Sequence, residues 1–196
     1  MGFEALVQGG GEAPFEAMLR TGELDEPRFA FYLGLDGPGE LVLGGVNAAR
    51  YEGDFQYHNL TFRGYWQVAL DDIAIEGKSF TESPNIIVDS GTSIIAGPVE
   101  DVKTIALSVG AEPNILGQYM VDCDKGGPDI SFVIGGIDYS LTFAEYVIDA
   151  GDGSCLFGML GLDIPGGLWI LGDNWMRVWY VDHQWDANMI GIAKAK

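Results

Sequence analysis

Cysteine, histidine and basic side chains are scarce in this chain of 196 residues. There are two cysteines, Cys123 and Cys155, and two histidines, His58 and His183. Their spacing fits no zinc or redox motif, so neither a metal nor a cofactor is expected. Ten Lys and Arg stand against 29 Asp and Glu, a net charge of −19. That balance excludes a phosphate-binding face, and with it a nucleic-acid partner. No apolar run approaches the roughly 18–20 residues of a membrane span. No basic–apolar leader opens the chain at Met1. Low-complexity tracts and clean internal repeats are also absent.

What remains is a globular composition, 47% apolar and 12% aromatic. The length suits one domain with a proper core, or one lobe of a larger protein. The acidity keeps such a chain soluble. It also suits a low working pH, where protonation brings the charge back toward zero. Twenty-nine glycines fit short strands joined by tight turns. From Phe29 onward the apolar residues fall at period two or in short buried runs, broken by Gly, Asp or Asn. These runs predict strands around 29–33, 41–43, 55–57, 66–70, 73–75, 119–121, 130–134, 139–141, 156–159, 168–171, 178–181 and 189–193. A helix is predicted over 98–109, with Pro98 in its first turn, Glu100 and Asp101 at its positive end and Gly110 as its stop. Shorter helices are predicted at 14–19, after the flexible Gly9-Gly10-Gly11 break, and at 142–146. The fold class is mainly β, with strongly bent antiparallel sheets and a few short helices.

Two segments carry chemistry. Ile86-Ile87-Val88-Asp89-Ser90-Gly91-Thr92-Ser93 is a β-branched run that ends in an acid, a glycine and hydroxyls. Gly91 is expected to take a backbone conformation that Cβ-bearing residues avoid, and the hydroxyls can bond a carboxylate or a peptide backbone. Trp169-Ile170-Leu171-Gly172-Asp173, preceded by Gly166-Gly167, is a second buried strand ending in an acid. Asp36-Gly37, Asp152-Gly153 and Asp173-Asn174 lack either the β-branched lead or the following hydroxyls, so no second Asp-Ser/Thr-Gly motif is present. With Tyr65-Trp66-Gln67-Val68, Leu43-Gly44-Gly45, Gly161-Leu162-Asp163-Ile164-Pro165 and Gly191-Ile192-Ala193 in order, the chain resembles the C-terminal lobe of the pepsin-like aspartic proteases.

The resemblance implies an aspartic endopeptidase. Asp89 takes the place of the second lobe's catalytic acid, and Gly91, Thr92 and Ser93 hold the carboxylate pair and the substrate backbone. Tyr65, Ile87, Leu162 and Ile164 line the substrate cleft, although Tyr65 and Trp66 read equally well as core aromatics. The loop at Pro165-Gly166-Gly167 looks shorter than is usual in the family. Asp173 either tunes the acid pair or caps a turn. The resemblance also implies a Cys123–Cys155 disulfide, with two separate buried thiols as the alternative, and a glycosylated sequon at Asn59-Leu60-Thr61. Such features point to the secretory pathway, an acidic lysosome- or vacuole-like compartment, or the outside of the cell. Residues 1–28 correspond to the segment connecting two lobes and 29–196 to the C-terminal lobe; before Phe29 the chain is expected to be partly extended.

The family's first lobe, with the other acid and the flap, has no counterpart in these 196 residues. A first lobe on a separate or cleaved chain, or a second copy of this chain, would have to complete the site for a peptide or protein substrate. The alternative is a non-catalytic half-protease serving as a binding or structural subunit. Trp175, Trp179 and Trp185 stand where the family has smaller or charged residues, and Asp182-His183-Gln184 replaces a more apolar turn. These tryptophans fit either a repacked core or an altered partner surface.

Overall fold

The structure is a computed structural model that describes residues 2–7, 9, 11–34, 37–151 and 153–196. Gly10, Asp36 and Asp152 of the motifs above lie outside the described residues. The chain divides into two units, Met1–Val68 with Met176–Lys196, and Ala69–Trp175. Mainly β architecture holds throughout, as the apolar periodicity requires.

In the first unit an antiparallel sheet runs in the order Trp66–Ala69, Tyr51–Arg63, Met189–Ala195, Trp179–Gln184, Arg28–Tyr32, Glu40–Leu43. Its core is aromatic. Phe29 stacks on His183, its partner in register, with ring centroids 4.5 Å apart. Trp66 and Trp185 close over this pair. The segment before Arg28 forms no strand among its described residues, and it carries the short helix expected at 14–19. Pro14–Thr21 is a helix, ended by Gly22 in the left-handed region. Its Phe15 packs 4.8 Å from Phe29, while Phe3 sits 4.7 Å from Trp66 and 4.5 Å from Trp185. Apolar side chains that would otherwise face water are buried locally, and that burial, not strand pairing, fixes the segment. Residues 182–184 are not a turn either. Asp182 and His183 are buried inside the strand Trp179–Gln184.

The second unit holds three four-strand arrangements. One is ordered Met159–Gly161, Ile95–Gly97, Trp169–Leu171, Asn85–Val88 and contains parallel pairs. The others are antiparallel: Val147–Asp149, Ser154–Phe157, Tyr119–Asp122, Glu112–Pro113; and Ile137–Leu141, Ile130–Ile134, Asp72–Ile75, Lys78–Ser79. The predicted helix spans Val99–Ser108, with Pro98 at its N-cap and not inside it. Pro98 has no side-chain oxygen to cap with, and Asp163 supplies one from far along the sequence, its Oδ1 accepting the Val99 N–H at 3.2 Å. Thr142 and Glu145 form a capping box at the short helix Phe143–Tyr146. Cys123 and Cys155 are joined by a disulfide.

Candidate active site

Ile86, Ile87 and Val88 are β-branched and almost wholly buried, which is why the segment extends as the strand Asn85–Val88. Trp169–Leu171 pairs with it in parallel, Trp169 opposite Ile86 and Leu171 opposite Val88. Both strands end together, so the two acid-bearing turns emerge side by side. The Asp89 N–H donates to the Leu171 carbonyl at 3.0 Å. The Asp173 N–H donates to the Thr92 carbonyl at 2.7 Å, and the Asn174 N–H to the Ser93 carbonyl at 3.2 Å. Gly172 makes this junction possible, because a Cβ there would collide with the Thr92 and Ile94 carbonyl oxygens. Asn174 anchors the far side, its Nδ2 donating to the Gly158 carbonyl at 2.9 Å.

Within that frame the Asp89 carboxylate is oriented at both oxygens. The Gly91 N–H donates to Oδ1 at 2.9 Å and the Thr92 hydroxyl donates to Oδ2 at 2.7 Å. Each oxygen keeps a further lone pair for a water or a second acid. Asp89 is half-buried and Ser93 exposed, so the group is held by the fold yet accessible. Gly91 departs from the expectation. Its φ is not in the left-handed region, and its requirement is spatial, since a Cβ would lie 3.1 Å from Asp89 Oδ1.

The remaining expected residues separate. Leu162 is exposed and Ile164 half-buried, in a loop tied down by the Leu162 N–H to the Gly97 carbonyl at 2.7 Å and by the Ser83 hydroxyl to the Gly167 carbonyl. Ile87 is 6% exposed, so in this chain its side chain is almost entirely covered. Asp173 is half-buried and opens the short helix Asp173–Met176. Tyr65 belongs to the other unit, where it is exposed with its ring 6.3 Å from that of Phe62. Asn59 is exposed on the strand Tyr51–Arg63, and the Thr61 hydroxyl of its sequon accepts from Gln67 Nε2 at 2.9 Å. Trp175 and Trp185 are buried, the core alternative; Trp179 is half-buried, with the Lys194 ammonium over its ring. Among the described residues no group of three or more His, Cys, Asp or Glu is placed to hold a metal, and no helix is long and apolar enough to cross a membrane.

Asp163, Gly172, Ser83 and Asn174 were not legible as structural supports of this site. Gly172 and Asn174 flank Asp173 and carried a local signal, the Gly-Asp-Asn ending of a buried strand. Asp163 and Ser83 act on partners 64 and 84 positions away, for which a single sequence offers no sign.

Residues 1–195 match the family described as eukaryotic aspartyl protease. Among curated relatives, cathepsin D of Chionodraco hamatus is 43% identical over 95% of this chain and 51% of its own length. Cathepsin D of Clupea harengus is 38% identical over 100% of this chain and 53% of its own. Human cathepsin D is 38% identical over 92% of this chain and 47% of its own. The chain therefore spans about half the length of the curated relatives it matches. With an acid presented at the end of a buried strand and a match along nearly its whole length, the chain is a pepsin-like member of the eukaryotic aspartyl protease family.

Proposed function

We propose that this chain is the C-terminal, second-acid half of an aspartic endopeptidase, with residues 1–28 as the segment connecting the lobes and 29–196 as the lobe. The observation that carries this reading is the Asp89 carboxylate, fixed by the Gly91 N–H and the Thr92 hydroxyl with lone pairs left open. A second carboxylate, from a first lobe or from another copy of this chain, completes the pair. Two acids that close cannot both ionise easily, so one remains protonated into the acidic range and they titrate together. One carboxylate takes a proton from a water as that water attacks the scissile carbonyl. The other donates a proton to the carbonyl oxygen. Thr92 holds the Asp89 carboxylate through its hydroxyl, and Ser93, exposed beside it, bonds the substrate backbone. Leu162 and Ile164 offer apolar surface to substrate side chains. Asp173, opening the adjoining short helix, influences the pair through its charge. The disulfide, and a glycan at Asn59, suit the secretory pathway and an acidic compartment or the cell exterior.

The test is cleavage of a fluorogenic peptide at about pH 3.5–5, the range in which such a pair holds one proton, with pepstatin as inhibitor. Activity that needs an added first-lobe chain supports the two-chain arrangement. Activity rising with the square of protein concentration supports two copies. Absence of activity under both conditions leaves a non-catalytic binding or structural subunit.

A further inference from the structure

A buried carboxylate sits on the face of the first unit's sheet opposite its aromatic core. Asp182, in the strand Trp179–Gln184, is 0% exposed. Three donors converge on its Oδ2: Gln184 Nε2 at 2.9 Å, Arg28 Nη1 at 3.3 Å and the Tyr57 hydroxyl at 3.3 Å. Its other oxygen, Oδ1, is buried and meets no donor among the described residues. Arg28 is shared, because its Nη2 lies 2.6 Å from the Glu26 carboxylate. The shorter ion pair is thus made with the more exposed acid. Gly191, paired with Asp182 on the neighbouring strand, leaves room for the Tyr57 ring, which a Cβ would approach to 2.6 Å. Asp182 itself is fully covered, and an ionised carboxylate with one bare oxygen is a destabilising occupant of such a position.

We propose that Asp182 is a pH-responsive strut of this sheet, ionised and undercompensated at neutral pH, where it loosens the sheet, and protonated in acid, where the sheet tightens. The groups facing it are Arg28 and, through Arg28, Glu26; Tyr57 from the strand Tyr51–Arg63; and Gln184 and Tyr180 from its own strand. Opposite it on Met189–Ala195 stands Gly191, which carries no titratable side chain. The two phenols are raised by burial and stay neutral. Burial likewise raises the Asp182 carboxyl above its ordinary value, with Gln184 and Arg28 opposing it in part. A carboxyl raised on folding gives stability that is greatest below its unfolded value and is lost as pH rises through the folded one. His183 points to the opposite face, against Phe29, and titrates with the opposite sign.

Because of that opposition the test is a difference. Asp182→Asn preserves shape, and melting of the 196-residue chain is followed with and without it from about pH 3 to about pH 8. The variant is expected to match the wild type in acid and to melt several degrees higher at neutral pH. A difference that stays constant across the range, or a variant less stable at neutral pH, overturns the proposal. Carbon-13 carboxyl NMR of the wild-type chain tests it even if the variant does not fold. The Asp182 resonance is expected to titrate above the exposed aspartates, and a midpoint at or below theirs overturns it. Neither readout depends on catalysis, so the outcome is separate from that of the protease reading.

Discussion

Asp89 and Asp182 are the same chemical group in opposite circumstances. Asp89 has a donor at each oxygen and is open on one side; Asp182 has its donors at one oxygen and is closed in. Asn at position 89 can turn its carbonyl to the Gly91 N–H and its amide to the Thr92 oxygen. Stability of Asp89→Asn is therefore expected within about 1 kcal/mol of wild type, while cleavage by the completed enzyme is abolished. Denaturation and cleavage rates on one variant check both, and an Asp89→Asn enzyme that still cleaves at the wild-type rate would falsify the catalytic assignment. His183 carries a separate pH prediction. Burial holds it down to about 3 from an ordinary 6.5. Its contribution is therefore intact above its unfolded value and lost as pH falls toward the folded one, at about 1.4 kcal/mol per pH unit. His183→Phe keeps the stacking on Phe29, and its melting advantage over wild type is expected to grow between neutral pH and pH 4.

Elements are held here by contacts distant in sequence. The helix Val99–Ser108 starts at a proline and takes its cap from Asp163. Asp163→Ala is expected to lower stability by ~1 kcal/mol in denaturant titration, without changing the strand content seen by circular dichroism. The Cys123–Cys155 bridge closes a loop of sequence separation 32 and ties the end of Tyr119–Asp122 to Ser154–Phe157. Replacing both cysteines by serine is expected to cost about 3–4 kcal/mol, chiefly by freeing the unfolded chain. A double variant as stable as wild type would show that the bridge adds nothing to strands already paired.

At the scale of the molecule, charge bears on the proposed two-copy arrangement. A net charge of −19 keeps copies of this chain apart at neutral pH, and that repulsion weakens as carboxylates protonate or as salt screens them. Self-association measured by analytical ultracentrifugation is accordingly expected to strengthen from pH 7 toward pH 4. A sedimentation coefficient that stays at the monomer value throughout counts against the proposed two-copy arrangement.

The period-two apolar runs, glycine-rich turns and the helix with acids in its first turn follow from local sterics and burial. For that reason the fold class, most strands and the position of Asp89 at a strand end were legible in the sequence. Gly91 and Thr92 as holders of its carboxylate were expected too, being two and three positions along, but the meeting of that turn with Asp173 was not. Four of the sequence's small residues stand near it, and only the parallel pairing of Asn85–Val88 with Trp169–Leu171 sets the two turns side by side. The helix at 14–21 was legible in outline, but its packing was not, because Trp66 and Trp185, far away in sequence, supply the surface that buries Phe3 and Phe15. Asp182-His183-Gln184 looked like a polar turn because polarity alone cannot reveal a partner. Arg28 and Tyr57, 154 and 125 positions away, make those residues tolerable inside a strand. Local chemistry determined which elements form, and long-range pairing decided which side chains meet.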